Sequence, residues 1–188
     1  MQTATIGTLA LWLCLSSSGA WAQDPPVPSA KLGFNREAFV GFLVEAKKHT
    51  YASQGDEASV KPLLPGTHQL EYSSGPFLYR DIYAGGSTFA GQEIVYHSGK
   101  PVWTMSYAGH IPDGLDPKEV ESVVRLLHIA LIRVSADEPY RGPRKIQEGA
   151  HTYVNRVQGR LDNFFGDETI MRGETKVYEL HFGGGFAR

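Results

Sequence analysis

Asp81, Glu93 and Arg141 are the residues whose types and settings could carry chemistry in this chain of 188 residues. Asp81 lies between Tyr79 and Tyr83 at alternate positions, and the period of two along a strand puts all three on one face. An apolar wall disfavours the carboxylate, raises the pKa and suits the group to general acid or base work. The plainer role for Asp81 is to accept hydrogen bonds from tyrosine or backbone and hold two strands in register. Glu93 closes the motif Phe89-Ala90-Gly91-Gln92-Glu93, and Arg141 sits inside Pro139-Tyr140-Arg141-Gly142-Pro143. A guanidinium there can grip an anion in two places, or form a salt bridge to Asp81 or Glu93. Trp103 and Tyr107 alternate with Met105 along another strand. They form core beneath a helix or, on an open face, a stacking wall for an organic ligand. The candidate ligand-binding set is therefore Tyr79, Asp81, Tyr83, Glu93, Trp103, Tyr107, Tyr140 and Arg141. Asp81 and Glu93 are the catalytic candidates within it.

Established catalytic templates do not match. The sequence has no G-x-S-x-G elbow, H-E-x-x-H, phosphate-binding loop or dinucleotide glycine pattern. Its seven histidines are scattered, and Glu179-Leu180-His181 alone places two ligand types on one strand face. With no third ligand nearby, neither a metal nor a cofactor is expected. A net charge of −2, without basic clusters, argues against nucleic-acid binding by bulk electrostatics.

The elements that must position these residues read as follows. Asn35 offers an N-cap to a helix carrying Phe39, Phe42, Leu43 and Ala46 as one stripe, with Lys47, Lys48 and His49 in its last turn. A loop over 51–65 leads to strands at 69–72, 77–83, 92–97 and 102–107. Asp116-Pro117-Lys118-Glu119 starts a second helix. Its stripe is Val120, Val123, Val124, Leu127, Leu131 and Val134, with further apolar residues off it, which predicts burial on more than one side. Residues 137–149 read as an irregular loop, followed by strands at 152–157, 164–171 and 176–182 and a closing Gly183-Gly184-Gly185. The expected class is α+β, an antiparallel sheet built in the order αββββ-αβββ.

Internal similarity supports two related halves. Phe89, Gly91 and Glu93 recur as Phe164, Gly166 and Glu168, and Val102, Tyr107 and Gly109 find Val177, Phe182 and Gly184 at the same offset. Such recurrence predicts a duplicated hairpin unit, its copies folded face to face around a shared hollow.

The N-terminus carries an address. Residues 1–22 hold no charged side chain, and the apolar run Ile6–Leu15 is too short to span a bilayer as a helix. It leads to Ala20-Trp21-Ala22, a signal-peptidase pattern. The expectation is a signal peptide over 1–22, a proline-rich tether over 23–33 and one domain over 34–188. The product would be periplasmic or secreted, with no membrane attachment after cleavage. The single cysteine, Cys14, lies inside the leader, so the mature chain has neither disulfide nor thiol nucleophile.

Several motifs together resemble a bacterial domain family of unknown function. They are Phe42-Leu43-Val44-Glu45-Ala46-Lys47-Lys48, Leu70-Glu71-Tyr72, the Phe89–Glu93 motif, Lys100-Pro101-Val102-Trp103-Thr104-Met105-Ser106-Tyr107, the proline-bracketed Arg141 loop and Lys176-Val177-Tyr178. The likeness runs over residues 36–186. Members of that family often sit C-terminal to an Xre-type helix-turn-helix, which implies a sensor or partner-binding role; here the signal peptide replaces that module. The functional expectation is an exported binding or sensor-like domain, holding a small molecule or protein partner between its halves. The alternative is a small hydrolase or isomerase using Asp81, Glu93 and Arg141.

Overall fold

The computed structural model describes residues 32–52 and 58–187. The expected signal peptide over 1–22 and nearly all of the expected tether over 23–33 lie outside the described residues. Among the described residues two helices, α1 (Arg36–Ala52) and α2 (Pro117–Leu131), accompany eight strands. The first four are β1 (His68–Ser74), β2 (Phe77–Gly85), β3 (Thr88–His97) and β4 (Lys100–His110). The others are β5 (Lys145–Glu148), β6 (His151–Arg160), β7 (Asn163–Arg172) and β8 (Thr175–Phe186). The fold is α+β: every strand belongs to one antiparallel sheet in the order β1-β2-β3-β4-β8-β7-β6-β5. None of the described helices is long and apolar enough to cross a membrane.

Two meanders meet at the β4–β8 seam, so they stand side by side in one sheet, not face to face as expected. Across the seam Tyr107 is opposite Phe182. The β3–β4 ladder shifts between Val95 and Tyr96, and the β7–β8 ladder between Ile170 and Met171.

One face of the sheet is covered by both helices. Phe39, Phe42 and Leu43 of α1 join Val123, Leu126 and Ala130 of α2 in a core with Tyr79, Val95, Trp103, Met105, Phe164, Ile170 and Leu180. Asn35 caps α1 as expected, its Oδ1 accepting from the Ala38 amide at 2.9 Å. Arg36 holds Asp162 through two bonds of 2.8 and 2.9 Å. Asp116 caps α2 through the Lys118 amide at 2.9 Å, with Pro117 at the first helical position. The opposite face carries surface pairs such as Arg80–Glu71 and Arg156–Asp167.

Four expectations need correction. Helix α1 runs on to Ala52, which moves Tyr51 from the loop onto the helix. Helix α2 buries one side only: Val123, Leu126, Ala130 and Leu131 are inside, while Val124 is 51% exposed. A single-layer sheet offers one surface to lie on, so Val124 of the expected stripe meets solvent while Leu126, off that stripe, is buried. Within the supposed irregular loop, Lys145–Glu148 pairs with β6; four residues with one apolar member show too little alternation to read as a strand. Finally, Gly183–Gly185 is no tail but the seam itself, opposite Ser106, Met105 and Thr104. A Cβ on Gly184 would drive into the Thr104 carbonyl.

Candidate functional site

Beneath the helices, the apolar core gives way to a buried polar cluster. Asp81, Glu93, Asn155 and Glu168 reach it from the sheet, Lys47 and Tyr51 from α1, and Arg141 from the loop after α2. Asp81 and Glu93 are register partners between β2 and β3, and Asn155 and Glu168 hold the matching places between β6 and β7. All four are at most 4% exposed.

Each glutamate has both oxygens engaged. Glu93 takes Lys47 Nζ on Oε2 at 2.5 Å and the Tyr51 hydroxyl on Oε1. Lys47 also donates to the Tyr140 carbonyl at 2.7 Å. Glu168 takes the Tyr153 hydroxyl on Oε1, and on Oε2 both Arg141 Nη2 at 3.0 Å and the Tyr178 hydroxyl at 3.3 Å. Arg141 Nη1 reaches the Tyr51 oxygen at 3.3 Å, which also receives the Tyr79 hydroxyl at 3.3 Å. Tyr51 thus ties the two ion pairs together. Burial pulls the Lys47 pKa down against the opposing attraction of Glu93. Burial likewise opposes the charge on Arg141, yet Glu168 and its tyrosines hold that pKa well above normal. Two buried cations balance two buried anions, the condition under which such charges persist in a protein interior.

Asp81 departs from that pattern. Its Oδ1 accepts the Tyr107 hydroxyl at 2.8 Å, but Oδ2 is buried without a partner, as are Arg141 Nε and Asn155 Oδ1. Burial, reinforced by nearby Glu93, pushes its pKa up to about 7. The protonated acid leaves the cluster electrically balanced. Burial and the Asp81 carboxylate together raise the pKa of Tyr107 far above its usual value. At the matching places of the other meander the pair is Asn155 and Phe182, an amide without a charge and a ring without a hydroxyl.

The glycine of each F-x-G motif makes room for that ring. A Cβ on Gly91 would stand 2.5 Å from the Tyr107 oxygen, and one on Gly166 2.5 Å from Phe182 Cζ. In both motifs the glycine lets an aromatic side chain from the neighbouring strand lie across the backbone.

The structure brings most of the residues singled out from sequence into this cluster. Tyr79, Asp81, Glu93, Tyr107 and Arg141 are in it, and half-buried Tyr83 lies beside it, stacked on His68 at 4.9 Å between ring centres. Trp103 is the correction. It is fully buried, donates to the Leu161 carbonyl at 3.2 Å and stacks on Phe164, so its ring has no open face. Tyr140 contributes its carbonyl to Lys47 and its ring to the Phe164 stack. The expected bridge from Arg141 to Asp81 or Glu93 is replaced by the one to Glu168. Lys47 and Tyr51 were missed. Their signal was a spacing of four that continues Phe39 and Leu43 through Lys47 to Tyr51, the buried side of α1. Glu179 and His181 stay on the surface, 3.1 Å apart. Among the described residues no group of three or more His, Cys, Asp or Glu side chains is arranged to hold a metal.

A family model matches residues 81–187, which span β2 to β8 and include Asp81, Glu93, Tyr107, Arg141 and Glu168. The chain belongs to DUF5680, a family of domains of unknown function. Lys47 and Tyr51 precede the DUF5680 match, so the cluster draws on α1 as well as on the matched stretch. No curated protein and no solved structure matches the chain.

Proposed function

We propose that this DUF5680 protein is an exported, non-catalytic binding domain whose ligand engages Asp81. The proposal includes a signal peptide over 1–22, a duplicated origin for the two meanders and a sensor-like role. The observation behind it is the unpartnered Asp81 Oδ2 in a cluster whose glutamates have every oxygen engaged. Leaving a buried polar atom unpaired costs about 1–3 kcal/mol, and such a group calls for a partner that the fold itself does not supply. Arg141 Nε, also unpaired, supplies a donor in the same cluster. A small neutral molecule with a hydroxyl or amide suits these two atoms, because the charges around them are already balanced. Tyr51, within the cluster, and Tyr83, beside it, are both half-buried.

The alternative is a hydrolase or isomerase, favoured by one observation: a pKa of about 7 suits Asp81 to proton transfer. Against it, Glu93 and Arg141 are committed to Lys47 and Glu168. Thermal shift against a panel of neutral, anionic and cationic metabolites tests the reading, beside a turnover assay. Neutral hydroxyl or amide compounds are expected to stabilise the wild type, and Asp81→Asn to weaken that stabilisation about three- to tenfold in apparent affinity. Equal stabilisation in Asp81→Asn overturns the binding role of Asp81. Turnover lost in that variant establishes the enzyme instead.

A further inference from the structure

We infer that Asp81 selects neutral carbonyl compounds, bound through their acceptor oxygen and only while Asp81 carries its proton. This rests on the reading of Asp81 as the ligand contact and adds which partner atom it takes. The hydrogen bonds of the carboxyl decide the point. Oδ1 accepts the Tyr107 hydroxyl at 2.8 Å. That hydroxyl has no other acceptor among the described residues, so its proton stays in this bond. A neutral Asp81 therefore carries its own proton on Oδ2, the buried atom without a partner. A carboxyl O–H is a donor, and what meets it must accept.

The groups packed around Asp81 favour that neutral form. Glu93 of β3 is its register partner, and β1 places the apolar Leu70 on its other side. Lys47 of α1 is taken by Glu93, and Arg141 of the loop after α2 by Glu168 of β7. An ionised Asp81 is thus a third buried anion beside two cations already paired. Tyr79 and Tyr83 on its own strand, Tyr51 on α1 and Tyr107 on β4 bring no charge. The other meander holds Asn155, an uncharged amide, at the matching place. Burial and Glu93 put the Asp81 pKa at about 7, so a rise in pH through neutrality turns the donor into an acceptor and expels a carbonyl ligand.

The test titrates two probes into the full-length, ¹⁵N-labelled protein from about pH 5 to about pH 9, following the backbone amides of β2 and β3. N,N-dimethylacetamide accepts through its carbonyl and has no N–H; pyrrole donates through its N–H and has no carbonyl. Saturable shifts are expected with dimethylacetamide, its affinity falling at least about tenfold across that range. Asp81→Asn exchanges the O–H for a weaker N–H donor that cannot ionise. It should bind dimethylacetamide about three- to tenfold more weakly at the acid end, with no dependence on pH. Tyr107→Phe, which matches Phe182 across the seam, removes a bond that favours the carboxylate and should move the fall in affinity to higher pH. Dimethylacetamide bound equally well at both ends of the range overturns the inference. Pyrrole alone binding, more tightly as pH rises, leaves Asp81 as the ligand contact but overturns its role as a donor. Saturable shifts with neither probe overturn the contact as well.

Discussion

At the scale of single residues, Asp81 sets the behaviour of the cluster. Its pKa is raised from 3.8 to about 7 in the fold, so the native state holds a proton that the unfolded chain releases above pH 4. Stability from this group is complete at low pH and falls as pH rises from about 4 to about 7, by up to about 4 kcal/mol. Asp81→Asn removes that titration. Denaturant unfolding from pH 4 to 8 should show the variant gaining on wild type as pH rises, with the difference levelling off above pH 7. A difference constant across that range would mean that Asp81 is ionised in the folded protein. The acid was legible in the sequence, set between Tyr79 and Tyr83 where an apolar wall would raise its pKa. How deeply the fold buries it was not, nor that Glu93, twelve positions along the chain, is its register partner.

At the scale of elements, the motif glycines act through the strands beside them. Gly91→Ala would press on the Tyr107 oxygen and on Tyr83 Cβ, and Gly166→Ala on the Arg156 carbonyl and the Phe182 ring. Each should cost about 1–3 kcal/mol by overpacking, measured as a lowered denaturation midpoint. Gly41→Ala is the opposite case: it faces open space in the middle of α1 and should stabilise by about 0.5–1 kcal/mol. Losses at all three positions would refute the packing account. The glycines were visible as a repeated motif, but their reason was not. The ring that needs the space is sixteen residues further on in each case, placed there by the next strand's register.

At the scale of the molecule, the β4–β8 seam joins both meanders into one sheet, and the core and the Lys47–Tyr51–Arg141 links cross it. The expected outcome is a single cooperative transition. In a chain beginning at Gln23, Trp103 is the sole tryptophan, and its ring stacks across the seam on Phe164. Its fluorescence should melt at the same temperature as the far-ultraviolet circular dichroism. Two separated transitions would mean that the meanders fold independently.

Local chemistry was enough to place both helix starts, seven of the eight strands and the acidic and aromatic residues of interest, because caps, turns and alternation are written in neighbouring residues. Partner choice was not written there. Arg141 found Glu168 instead of Asp81 or Glu93, Trp103 turned inward, and Lys47 and Tyr51 became members of the cluster. Those outcomes follow from which strands lie side by side and which face the helices cover. Burial then makes Lys47 and Arg141 pair with Glu93 and Glu168, the counter-charges that the sheet brings within reach.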